Sequence, residues 1–178
     1  MNTEWDSARQ AARNLISRYH ISDPPVNVFE IAKNEGIEIV FFRPTPKTEG
    51  VSGVLEKTKK RIYLNALESP KRQAYTLAHE LGHYFLKHRT NEYGVYRRDT
   101  TYEVKLPKEK EADMFAAELL MPRRMLLHIK NMYGLTDNDA NILANMFAVS
   151  ESAMRYRLKS LKSKYDANEE ENDQLSDD

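Results

Sequence analysis

The chain reads as an α+β protein: a small β-sheet packed on a helical block, followed by a helix-turn-helix-like pair of C-terminal helices. Three observations carry that expectation. Short runs rich in β-branched and aromatic residues are confined to 37–65, whereas helical spacing dominates after Pro70. The 178 residues are 40% apolar and show no internal repeat, which suits one compact core. No unbroken apolar run exceeds four residues, as at Ile39–Phe42, far short of the roughly 20 residues of a membrane-spanning helix.

Residues 4–19 open the chain as a helix, with Trp5, Ala8, Ala12, Leu15, Ile16 and Tyr19 on one face and Thr3 placed as its cap. Asp23-Pro24-Pro25 breaks it, and Val28–Asn34 predicts a second short helix ending at Gly36. Ile37–Arg43 predicts a strand stopped by Pro44 and Pro46. Gly53–Glu56 and Arg61–Asn65 flank the polar turn Lys57-Thr58-Lys59-Lys60 and predict a hairpin. Beyond Pro70 the chain is expected to be mostly helical. Near its end, Asp137–Phe147 and Glu151–Tyr165 predict helix, short turn, helix. The last helix sets Met154, Leu158, Leu161 and Tyr165 at core spacing, with Arg155, Lys159 and Lys162 on one flank and Arg157 and Lys164 on the other. A recognition helix has this pattern, and so does an ordinary amphipathic helix that packs or docks on protein with its charged flanks in solvent.

The charge balance conceals two opposite parts. Lys+Arg and Asp+Glu are both 27, which by itself argues against a nucleic-acid-coating protein. Seven of the acids lie in 166–178, where there is no Lys or Arg, so the body carries a net +7. That tail has one large aliphatic residue, Leu175, and is expected to be disordered, a solubilising device or a segment that folds back on the basic body. The sequence contains no cysteine, which excludes disulfides, thiolate metal ligands and cysteine nucleophiles. With no basic, apolar leader at Met1–Asp6, a cytoplasmic location is expected.

One constellation carries chemistry. His79-Glu80-Leu81-Gly82-His83 is an H-E-x-x-H motif. On a helix its two histidines lie about 40° apart, one turn along the same face, so both imidazoles can meet a single ion. A hydrolytic zinc site needs a third protein ligand and one open position. The form with a third histidine requires Gly at 86 and His at 89; Leu86 and Arg89 stand there instead. The remaining source is the acidic run Glu109-Lys110-Glu111-Ala112-Asp113. Glu109 shares a helix face with Asp113, whereas Glu111 lies about 160° from Asp113 and is expected to meet water. Glu109 is therefore the expected ligand, with Glu111 the alternative. Asp113 is expected to accept the spare N–H of a ligand histidine, fixing its tautomer. Glu80 is the expected general base and acid. Tyr93, Tyr96 and Tyr102 are candidate donors to an oxyanion, His88 is expected at the surface, and His20 and His128 are expected to be structural. Two imidazoles and one carboxylate in an open site favour Zn2+ over manganese or iron.

Ala78-His79-Glu80-Leu81-Gly82-His83-Tyr84-Phe85-Leu86, followed by Glu109-x-Glu111-Ala112-Asp113-x-Phe115-Ala116-Ala117-Glu118-Leu119-Leu120-Met121-Pro122, resembles the ImmA/IrrE metallopeptidases. The upstream Pro25-Val26-x-Val28-x-x-Ile31-Ala32 and Gly36-Ile37-x-Ile39 resemble the entry of that family's domain, so the likeness covers roughly 20–160. The resemblance implies zinc held by His79, His83 and Glu109, with Glu80 catalytic. It implies a protein substrate, an Xre-type helix-turn-helix repressor whose cleavage relieves repression of phage, mobile-element or stress genes. The chain offers no room for a fused repressor domain before residue 20, so that substrate is expected to be a separate protein. The expected division is a zincin-like unit at 1–132, a helical subdomain at 133–165 and the acidic tail at 166–178. The competing class is a non-proteolytic, metal-stabilised anti-repressor that binds the repressor or DNA. An intact Glu80 argues for the peptidase, since sequestration needs no general base. The resemblance also favours protein-facing roles for the C-terminal helices over direct DNA contact, and no membrane partner is expected.

Overall fold

The computed structural model describes residues 4–89, 95–97 and 107–173, with side chains over 6–89 and 107–162. It is α+β. Helix α1 (Glu4–Arg18) buries Ala8, Ala12 and Leu15, three positions of the predicted stripe. Helix α2 (Val28–Asn34) starts at Asn27, whose side chain accepts from the Glu30 N–H at 3.2 Å. It ends where Gly36 takes φ +70 and Ile37 N–H bonds to Ala32 O at 2.9 Å, turning the chain into β1 (Glu38–Phe42).

Strands β2 (Gly53–Glu56) and β3 (Arg61–Asn65) form the predicted hairpin, closed by a 3-10 turn at Lys57–Lys59. The sheet order is β1-β3-β2-β4, with β1 parallel to β3 and the other pairs antiparallel. Glu38 faces Arg61 across the parallel pair and accepts from its Nε at 2.7 Å. Strand β4 (Val95–Arg97) is not predicted; three residues are too few to set up an alternation that a sequence shows. Alternation on β2 and β3 sends Leu55, Ile62 and Leu64 to one face, where they meet Leu77, Ala78 and Leu81 of α3 (Pro70–Phe85).

Helix α4 (Pro107–Leu120) packs between α1 and α3, and it presents Ala112, Phe115, Ala116 and Leu119 to the core. Helices α5 (Arg123–Tyr133), α6 (Ala140–Met146) and α7 (Glu151–Asp173) follow. Gly134, at φ +64, terminates α5, and a capping box between Thr136 and Asp139 leads into α6. The buried side chains form one continuous core from Ala8 to Leu158.

One expectation about α7 fails. Arg157 is not on a solvated flank: its side chain is 1% exposed and pairs with Glu118 of α4, while its Nε donates to Met121 O at 3.1 Å. Glu118 also accepts from Arg13 of α1 at 2.9 Å, so one buried carboxylate ties α1, α4 and α7 together. The helix runs on to Asp173. A preformed helix adds one backbone hydrogen bond per residue, and 166–173 holds no Gly or Pro to stop it.

Candidate metal centre

The site is built where α3 and α4 cross. Ser69 caps α3, with Pro70 in its first turn, and the helix brings His79 and His83 to one face. Gly82 lies between them and faces α4. A Cβ there would sit 3.0 Å from Ala112 Cα and 3.2 Å from Ala112 O. The absent side chain therefore lets the α4 backbone come close enough for an acidic side chain to reach the histidines.

Glu109, in the first turn of α4, makes that reach. Its Oε2 lies 3.2 Å from His79 Nε2, and its Oε1 lies 3.5 Å from His83 Nε2. The two Nε2 atoms are 3.0 Å apart. These residues form the one group among the described residues whose donor atoms converge as a metal site requires. A tetrahedral ion with bonds of about 2.0–2.1 Å sets its ligand atoms about 3.3 Å apart. The observed edges of 3.0–3.5 Å fit that face.

Each histidine is held from behind. Asp113 Oδ1 lies 2.9 Å from His79 Nδ1 and accepts from the Tyr75 hydroxyl at 3.2 Å. Tyr75, one turn before His79 on the same face, has no part in the sequence reading; that spacing is the signal that would have found it. His83 Nδ1 lies 2.7 Å from His88 Nδ1, and His88 Nε2 lies 2.7 Å from Glu111 Oε2.

The placements of His88 and Glu111 overturn two expectations. His88 is 6% exposed, not on the surface, because Lys87 takes φ +56 after the last helical turn and folds the chain back. Glu111 is 17% exposed and bonded to His88, not facing open water. Helical phase correctly separates it from Asp113, but phase cannot see a loop residue arriving from another element.

Charge on the two facing imidazoles is unequal. Burial opposes a proton on His79, yet hydrogen bonds to Asp113 and Glu109 outweigh it and raise the pKa to about 9. Burial, reinforced by the His79 cation, drives His83 down to about 2. The metal-free pair thus carries one positive charge at neutral pH.

Glu80 is fully buried and outside the donor triangle. A Cβ on Gly53 would lie 3.4 Å from its Oε1 and only 2.4 Å from Thr76 Cγ2, so the bare backbone of β2 passes directly over this part of α3. His20 and His128 are exposed and not packed as structural residues. The side chains of Tyr93, Tyr96 and Tyr102 lie outside the described residues.

A peptidase family model described as the IrrE N-terminal-like domain matches residues 32–159, which contain every residue of this centre. The metallopeptidase ImmA of Bacillus subtilis (strain 168) is 32% identical over 102 residues, 56% of this chain and 57% of that protein. A Mycobacterium tuberculosis transcriptional regulator has a similar fold, with a TM-score of 0.59 at 15% identity over 83% of this chain and 44% of that one. The matched regions thus span about half the length of these relatives.

Proposed function

The chain belongs to the ImmA/IrrE family of metallopeptidases, and from that premise we propose that it is a zinc-dependent endopeptidase acting on a separate Xre-type helix-turn-helix repressor. The observation that carries the reading is the triangle of two buried imidazoles, His79 Nε2 and His83 Nε2, with the partly buried Glu109 carboxylate, each imidazole braced at its other nitrogen. His79, His83 and Glu109 hold the ion, and Asp113 orients His79. Two imidazoles and a single carboxylate favour zinc, and three protein ligands leave one coordination position open. The bound ion supplies Lewis acidity to a water and to the scissile carbonyl.

The protein's own residues do the rest. Glu80 takes the proton of the attacking water and passes it to the leaving amine. It is fully buried and adjoins His79 in sequence. The α3–α4 pair with its sheet is the zincin-like unit, spanning 1–132. Residues 133–165 form a helix-turn-helix-like pair docked on it through Arg157, leaving Arg155, Lys159 and Lys162 exposed toward a protein partner. The absence of cysteine accords with a reducing cytoplasm, where such a repressor works. Among the described residues no helix is long and apolar enough to cross a membrane.

The test is to incubate zinc-loaded wild type and Glu80→Ala with purified Xre-type repressors from the same organism and to read fragments by mass spectrometry. Fragments from wild type alone are expected. Equal loss of repressor–DNA binding with both proteins, and no fragments, would replace the peptidase with a sequestering anti-repressor.

A further inference from the structure

The end of α3 brings a second histidine pair into contact behind the metal triangle. Leu86 N–H closes on Gly82 O at 2.9 Å, Lys87 turns at φ +56, and His88 N–H then bonds back to His83 O at 3.1 Å. The His88 ring is thereby buried against the outer nitrogen of His83, with Glu111 of α4 on its far side.

The hydrogen-bond roles follow from what each group can do. An ionised carboxylate only accepts, so the hydrogen on the His88–Glu111 contact belongs to His88 Nε2. If His88 is neutral, the premise on which the assignment stands, its ring carries that one hydrogen alone, which leaves His88 Nδ1 as an acceptor. Its 2.7 Å contact with His83 Nδ1 then needs the hydrogen on His83. His83 is left with its lone pair on Nε2, the atom that faces His79 and Glu109. The opposite tautomer would put a hydrogen where the ion has to bind.

We propose that His88 and Glu111 are positioning residues: a carboxylate–imidazole relay that fixes His83 in the tautomer offering Nε2 to the metal. The inference rests on the reading that His79, His83 and Glu109 hold the ion. It gives each ligand histidine its own carboxylate, direct for His79 through Asp113 and through one intervening ring for His83. It also gives His88 and Glu111 a role that their solvent-facing expectation left empty.

The experiment uses the full chain with zinc ion as the probe. Zinc affinity is measured by competition with a chelator for wild type, His88→Leu, His88→Asn and Glu111→Ala. The His83 tautomer is read separately in the metal-free proteins from imidazole nitrogen NMR shifts. His88→Leu removes the acceptor and should weaken zinc binding about 10- to 100-fold while moving hydrogen to His83 Nε2. His88→Asn places an amide oxygen near the former Nδ1 and should stay within about threefold of wild type by the same reasoning. Glu111→Ala cuts only the partly exposed end and should cost about tenfold; it decides the matter if His88→Leu does not fold.

Wild-type affinity in His88→Leu and Glu111→Ala overturns the relay, as does a metal-free wild type with the hydrogen on His83 Nε2. Equal losses in His88→Leu and His88→Asn, with the tautomer unmoved, would mean that His88 only packs. A wild type that takes up no zinc overturns the metal reading and the relay's purpose together, whereas a wild type that binds normally beside unaffected variants overturns the relay alone.

Discussion

Replacing Gly82 with alanine alters no candidate ligand, yet it should weaken metal binding. The new Cβ would stand 3.0 Å from Ala112 Cα, 3.2 Å from Ala112 O and 3.2 Å from Phe115 Cδ1, where ordinary contact begins at 3.4 Å. Two of the three obstacles are backbone atoms, which cannot rotate aside, so α4 must back away by about 0.4 Å. Glu109 lies one turn before Ala112 and Asp113 directly follows it, so the movement carries both carboxylates from the histidines. Metal sites tolerate about 0.2 Å in their bond lengths, so the third ligand would be displaced beyond that range. A loss of about tenfold in zinc affinity, about 1.4 kcal/mol, is expected. Metal-free stability should change less, because alanine gains about 1 kcal/mol in helix propensity against an overpacking cost of about 1–3 kcal/mol. Chelator competition gives the affinity and thermal unfolding of the metal-free protein gives the stability. Zinc affinity within twofold of wild type in a folded Gly82→Ala protein would refute the close-approach argument.

Arg157→Leu strands the buried Glu118 carboxylate with Arg13 alone; a loss of about 3–5 kcal/mol, or about 10 °C in the unfolding midpoint, is expected. A midpoint within about 2 °C of wild type would contradict this. Zinc affinity should depend on pH with a definite sign. His79 of the metal-free protein keeps its proton up to about pH 9 and zinc must displace it, so apparent affinity should rise about tenfold per unit from pH 7 to 9 and then level off. A flat or falling chelator titration would exclude that assignment. The same raised pKa stabilises the metal-free fold fully below about 6.5, and that contribution fades as pH climbs through about 9. Denaturant midpoints of the metal-free protein should therefore fall over this interval, and a rise would count against the protonated His79.

Local chemistry explains which features were legible. The hairpin ends at Gly53–Glu56 and Arg61–Asn65 follow from a lysine-rich turn between alternating runs, and those boundaries agree with the structure. His79, His83, Glu109 and Asp113 converge as their helical phases predict, since each lies within an unbroken helix. Phase fails at His88 because it assumes that the helix continues, whereas the chain reverses at Lys87 with neither Gly nor Asn to announce a left-handed residue. Glu111 and Arg157 fail for a related reason. A charged side chain reads as solvated until a partner from a distant element is known, and here His88 and Glu118 supply those partners. The pairing of β1 with β3 is likewise a tertiary fact, set by which strand edges meet and not by the pattern of either strand.

The proposed peptidase activity requires His79, His83 and Glu109 to close around one divalent ion. Crystals grown with one equivalent of zinc, with diffraction recorded at the zinc absorption edge, locate that ion directly. A single anomalous peak is predicted inside the triangle, about 2.0–2.2 Å from both Nε2 atoms and a Glu109 oxygen. A peak elsewhere on the molecule, or one ligated by Glu111 in place of Glu109, would contradict the account.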